Sequence, residues 1–271
     1  MTLTLTTDPR GVATLTLDRP EKHNALSAAL MHAITDAARE IGKRDDIRVV
    51  ILASAGPTFC AGGDLKWMQE QITADRETRR AGAMVLAGML EALNTLPQPL
   101  IGRVQGNAFG GGVGLACVCD VTIGVETAKF GLTETKLGLV PATIGPYVLA
   151  RLGEAMARRV FMSSRVFGAD EAVTLGVLAK AVSADKLDAA VEAEVAPYLS
   201  CAPKAVAAAK AMARGLGPTI SQVEIARSVD ALMDIWEGEE ATQGLAAFFG
   251  KTKAPWVVAY GWREMRRFRN A

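Results

Sequence analysis

The spacing of apolar and polar residues changes along the chain, and each change marks an element. Residues 2–6 alternate threonine and leucine, and 12–18 (VATLTLD) alternate again, with Asp8-Pro9-Arg10-Gly11 between them. Period two on both sides of a proline and glycine turn predicts an antiparallel hairpin. After the polar loop Arg19 to Asn24, residues Leu30, Ile34, Ala37 or Ala38 and Ile41 recur at helical spacing. Ser27 is placed to cap that helix, which should end near Gly42. VVILAS then forms a continuous apolar run, the pattern of a strand covered on both faces. A loop, Gly56 to Asp64 (GPTFCAGGD), leads into the helix-like Leu65-Lys66-Trp67-Met68, and 74–96 is charged and helical in pattern. Pro99 to Val104 reads as another buried strand. Beyond Pro141 the pattern is mostly helical, at about 145–163, 169–175, 185–199, 202–214 and 218–249, with a last short strand within Val177 to Val182.

Between these halves lies Ile101 to Pro141, where Gly110, Gly111 and Gly112 stand together at a strand-to-helix turn. A small-residue helix should begin there and run to about Cys119. Adjacent glycines admit unusual backbone angles and let a ligand approach the main chain. The first amides of a helix have no intrahelical acceptor, so such a turn suits an oxygen that becomes negative during a reaction. The unit has an echo: VVILAS leads to AGGD, as PLIGRV leads to FGGG. Two such units could aim two amides at one oxygen; two ordinary strand–helix turns are the alternative. One carboxylate draws notice. Glu134 lies in FGLTETKLG among apolar residues, where its pKa should rise toward neutrality. A satisfied structural acid is the alternative.

Composition removes other classes. The 271 residues carry 30 basic and 29 acidic side chains, and half are apolar. That suffices for a large core in one or two domains and argues against a nucleic-acid footprint. No signal core or membrane-length apolar run appears, so a cytoplasmic protein is expected. Cys60, Cys117, Cys119 and Cys201 lack zinc spacing and read as buried reduced thiols; no metal site is expected. Two histidines, His23 and His32, and no GxSxG argue against a Ser-His-Asp hydrolase.

RPEKHNALS, FCAGGDL, GNAFGGGVGLACVCD and FGLTETKLGLVP, in this order and spacing, resemble the crotonase family of enoyl-CoA hydratases and isomerases over about 3–253. The resemblance implies an α/β fold, a spiral of ββα units over about 1–200, and a helical region over 201–271 that builds trimers or hexamers. It implies an acyl-CoA thioester as substrate, with coenzyme A part of it and no other cofactor. Gly63 and Gly111 would donate to the thioester oxygen of an enolate, and Glu134 would move the proton. Lys22, Ala25, Leu26, Ala61, Asp64 and Leu65 match the segment around CoA. Gly114 and Pro141 fall at the acyl side, and Phe249 and Lys251 match positions that reach CoA across a subunit boundary.

One position departs from the pattern. Two-glutamate hydratases carry a glutamate where this chain has Gly114. A single acid is compatible with a Δ3,Δ2-enoyl-CoA isomerase, whereas GGGVGL and PATIGPY resemble a bacterial branch of methylglutaconyl-CoA and related hydratases, whose substrates bear a second carboxylate. The expectation is a hydratase of branched or glutaconyl type, with the isomerase as alternative. A further alternative is an RNA-binding or scaffolding member using the arginine-rich tail, against which the near-neutral charge argues.

Overall fold

The computed structural model describes residues 2–218 and 220–258. Arg263, Arg266, Arg267 and Arg269 of the tail lie outside them, as does Trp262. The N-terminal hairpin forms as its alternation predicts, β1 (Leu3–Thr7) antiparallel to β2 (Val12–Leu17). In α1 (Ala28–Gly42) the Ser27 hydroxyl accepts from the Leu30 amide, and Leu30, Ile34, Ala38 and Ile41 are buried. Replacing a buried residue such as Ile34 by alanine should cost about 2–5 kcal/mol.

The chain then repeats one theme. β3 (Val49–Ser54) is followed by β4 (Thr58–Cys60), α2 (Leu65–Thr73) and α3 (Arg76–Asn94). β5 (Leu100–Val104) is followed by β6 (Asn107–Phe109) and α4 (Gly111–Val118). β7 (Val121–Val125) is followed by β8 (Lys129–Gly131) and α5 (Gly145–Phe161). The first strand of each unit joins a six-stranded sheet in the order β1-β2-β3-β5-β7-β10, where β10 is Lys180–Val182. The second joins a four-stranded sheet, β4-β6-β8-β9, where β9 is Val166–Gly168. The second strands are three residues long, too short to show a period, and β4 corrects the expectation of plain loop over 56–64. β7, β8 and β9 are likewise strands that the pattern did not predict. From β2 to β10 the large sheet is parallel, which accounts for the continuous burial of β3.

Helices α6 (Ala169–Leu175), α7 (Leu187–Leu199), α8 (Pro203–Leu216), α9 (Gln222–Trp236) and α10 (Glu239–Phe249) complete the fold. The segment expected as one helix at 218–249 breaks at Glu237-Gly238. α9 packs on α3, and α10 packs on α9 and on the turn Glu134–Leu137, around a second apolar cluster that includes Ala83, Leu139, Val229, Leu232, Met233, Trp236 and Leu245. α8 has no buried residue. Cys60, Cys117 and Cys119 are buried, and burial pushes their thiols up to about 12. Cys201 is exposed, against expectation, in the turn after α7. Among the described residues no helix is long and apolar enough to cross a membrane, and no cluster could hold a metal.

Candidate active site

The two glycine loops end their short strands side by side. Gly62 takes φ +94°, and a Cβ there would lie 3.1 Å from the Phe109 carbonyl oxygen. Gly110 takes φ +48° at the start of α4, and its amide donates to Gly131 O at 2.9 Å. Leu26 fastens the first loop: its amide donates to Gly62 O at 2.8 Å, and its carbonyl accepts from the Asp64 amide at 3.1 Å. Among the described residues, neither the Gly63 nor the Gly111 amide has a protein acceptor. The sheet pairing of β4 with β6 thus brings together two loops, far apart in sequence, that each carry a free amide.

Glu134 comes to the same place on a 3₁₀ turn, Glu134–Leu137, after β8. Its Oε1 lies 3.1 Å from where a Cβ on Gly110 would stand. Its Oε2 is buried without a hydrogen-bond partner. Burial raises its pKa to about 7. Ser164 pins this turn: its hydroxyl meets Thr135 Oγ1 at 2.5 Å and accepts from the Lys136 amide at 3.1 Å. From the other side α10 presses on it, so that a Cβ on Gly244 would lie 2.4 Å from the Leu137 carbonyl.

These groups border one cavity of about 540 Å³, with Leu26, Ala61, Leu65 and Pro141 on its wall and Glu134 the one carboxylate there among the described residues. A larger cavity of about 930 Å³ lies by α8, but its carboxylate, Asp120, is committed to Lys210 at 2.6 Å. Of the two, only the smaller joins free amides to an unpartnered acid, the arrangement that stabilises an oxyanion while moving a proton.

Residues 7–258 match the profile of the family described as Enoyl-CoA hydratase/isomerase. The chain belongs to the enoyl-CoA hydratase/isomerase family. A probable enoyl-CoA hydratase of Mycobacterium bovis is 34% identical over 246 residues, covering 90% of this chain and 93% of the relative. A crystal structure of a putative enoyl-CoA hydratase from Mycobacterium avium paratuberculosis superposes with a TM-score of 0.83 at 28% identity, covering 94% of this chain and 99% of the other. An enoyl-CoA hydratase from Shewanella pealeana gives 0.77 at 35% identity, with 94% and 96% covered. The α/β fold is that of the crotonase enzymes.

Within this enoyl-CoA hydratase/isomerase family member, other expected residues lie around the cavity rather than on its wall. Lys22 is exposed at the end of a 3₁₀ turn, and buried Ala25 gives its carbonyl to Arg19 at 2.7 Å. Asp64 caps α2 through the amides of Lys66 and Trp67 and pairs with Arg19 at 3.0 Å. Burial pushes its carboxyl up, but Arg19 and those two amides outweigh it and hold the pKa below the usual range. Gly114 lies under Ile144, outside the wall. Phe249 and Lys251 do not border their own chain's cavity, whereas Phe248 does.

Several residues were not found from sequence. Asn24, fully buried with φ +52°, donates to the carbonyls of Ala55 (2.8 Å) and Thr58 (2.7 Å) and holds the loop before Leu26. The AL after Asn24 was legible as motif, but the asparagine's role needed its distant partners. Gln71, Arg79 and Trp236 reach the cavity from helices whose sequences carry no special signal, and Ile144 reaches it from the PATIGPY segment just before α5.

Proposed function

We propose that this enzyme hydrates an enoyl-CoA, of branched or glutaconyl type, through a thioester enolate. The observation that carries the reading is Glu134, buried and unpartnered at Oε2, beside two glycine loops with free amides. The amides of Gly63 and Gly111 donate to the thioester oxygen, and two such donors stabilise the charge it gains by about 3–4 kcal/mol each. Glu134 as carboxylate takes a proton from water as the water oxygen bonds to Cβ. The Cα–Cβ π electrons move to the thioester oxygen. The resulting carboxylic acid then delivers that proton to Cα, the carbonyl reforms, and Glu134 is a carboxylate again. Coenzyme A is part of the substrate, and the residues named require no other cofactor. The glutaconyl preference rests on the likeness of GGGVGL and PATIGPY to that branch.

A second reading is Δ3,Δ2-enoyl-CoA isomerisation, favoured by the single carboxylate on the wall among the described residues. There Glu134 removes a proton from Cα and returns it to Cγ through a dienolate whose oxygen occupies the same pair of amides. A panel of crotonyl-CoA, a 3-enoyl-CoA and 3-methylglutaconyl-CoA in isotopically labelled water separates the two. Hydration places water oxygen in the product; isomerisation does not. Absence of turnover on every member of the panel would remove both.

A further inference from the structure

The first turns of α3 carry Arg76, Arg79 and Arg80, and their environments differ. Arg76 is solvent-facing and pairs with Asp234 at 2.7 Å and Glu237 at 2.6 Å, and Arg80 pairs with Asp230 at 2.7 Å. Arg79, only 8% exposed, is the one without a carboxylate: among the described residues none lies within ion-pair distance. Its Nε donates to Gln71 O at 3.1 Å, its Nη2 donates to Ala74 O at 2.8 Å, and its guanidinium lies 5.3 Å from the Trp236 ring centre. Among the described residues Nη1 has no acceptor. Beside it Gln71 is 7% exposed, and its Oε1 is buried without a partner. Both side chains border the cavity that holds Glu134.

Burying a guanidinium without an anion is unfavourable, and so is burying an amide without a partner. Arg79 does clamp the link between α2 and α3 through two carbonyls. That clamp uses Nε and Nη2; it leaves Nη1 and the Gln71 amide unused. Two side chains with unused hydrogen-bonding groups, one of them cationic, thus line the same mostly apolar cavity, and Arg79 also borders a smaller one of about 340 Å³ beside Ile72, Trp236 and Leu245. The terminal amide of Gln71 can turn over to present its NH₂ instead of its oxygen. Together they offer N–H donors from two directions, the complement of a carboxylate.

We propose that Arg79 and Gln71 form a specificity subsite for a carboxylate at the end of the acyl chain remote from the thioester. The proposal rests on the acyl-CoA reading above. It makes Arg79 the residue that selects dicarboxylic acyl groups over neutral ones of equal length. A neutral chain end would bury both groups still unpaired, which is how a polar site rejects an analogue lacking the partner.

Saturated thioesters test this by binding alone. Titration calorimetry compares glutaryl-CoA with valeryl-CoA, and adipyl-CoA with hexanoyl-CoA. The wild-type protein should favour a dicarboxylic member by at least about tenfold. Arg79→Met should weaken that member by roughly 10²-fold and leave its neutral counterpart within about threefold. Arg79→Lys should recover part of the loss, and Gln71→Leu should cost the dicarboxylic member about tenfold. Equal wild-type affinities at both chain lengths would overturn the subsite while leaving the acyl-CoA reading intact, and this comparison needs no variant to fold. Equal weakening of both members by Arg79→Met would also overturn it, since a purely structural clamp acts on both. If neither the thioesters nor free CoA binds, the acyl-CoA reading fails along with the subsite.

Discussion

Gly114 and Ile144 are in direct opposition: a Cβ on the glycine would fall 2.7 Å from Ile144 Cγ2 and 3.1 Å from its Cβ. The isoleucine fills the space that a longer side chain at 114 would cross. A glutamate at 114, where the sequence resemblance places a second acid, would have to displace Ile144. Gly114→Glu should therefore destabilise the fold, by about 2–4 kcal/mol in urea unfolding, through overpacking and burial of a carboxyl. Adding Ile144→Ala should recover a substantial part of that loss, read as a favourable coupling in a double-mutant cycle. Strict additivity would mean that the two side chains do not compete.

Glu134→Gln keeps the shape of the side chain and removes its titration. On the substrate that the wild-type enzyme turns over, kcat should fall by roughly 10²–10⁴ while KM changes little. The wild-type kcat/KM should rise with pH and reach half its plateau near 7, because the carboxylate is the working form and burial raises its pKa to about 7. Turnover unchanged in the variant would remove Glu134 from the mechanism.

The same shift has a stability consequence. The folded pKa of Glu134 is about 7 against 4.5 for the free side chain, so the native state holds the proton more tightly than the unfolded chain. The resulting stabilisation is full below about 4.5 and is lost as pH rises through 7. Relative to wild type, Glu134→Gln should be near neutral at pH ~4. Above pH ~8 it should be more stable by up to about 3 kcal/mol in denaturant titrations. A difference that does not vary with pH would show that the carboxyl titrates normally.

Gly110 holds φ +48°, with Glu134 Oε1 3.1 Å from where its Cβ would be. Gly110→Ala should cost about 1–2 kcal/mol in backbone strain and lower kcat by at least about tenfold by displacing the acid. Gly88→Ala is the control: nothing lies within 4 Å of a Cβ there, in the middle of α3. That change should stabilise by about 0.5–1 kcal/mol and leave kcat alone.

α8 leaves Met212 (63% exposed) and Leu216 (83%) open to solvent, and it buries no residue of its own. We expect this face to be covered by other copies of the chain in a trimer or hexamer. Light scattering at micromolar concentration should show such an assembly, and Met212→Glu with Leu216→Glu should dissociate it. A wild-type monomer would refute the expectation.

Much of the architecture was legible because local patterns carried it. The Thr/Leu alternation specified the N-terminal hairpin, the spacing of Leu30, Ile34 and Ile41 specified α1, and the run VVILAS announced a strand covered on both faces. The strands of the small sheet were not legible. Thr58–Cys60, Asn107–Phe109 and Lys129–Gly131 have three residues each, and they are strands only because they pair with one another.

The site divides in the same way. Glycine pairs before helices and an acid within an apolar stretch are signals a sequence can carry, because they restrict the backbone or the solvation of the residue that bears them. The sequence by itself thus determined which residues are candidates for holding an oxyanion and for moving a proton. It could not determine that they share a cavity. Only the tertiary structure decided that Ile144 fills the place beside Gly114, that Ser164 and α10 clamp the Glu134 turn, and that Arg79 alone of the three arginines at the start of α3 is buried without a carboxylate among the described residues. Each of those depends on contacts between segments far apart in the chain, and neither period nor composition encodes a pairing over that distance.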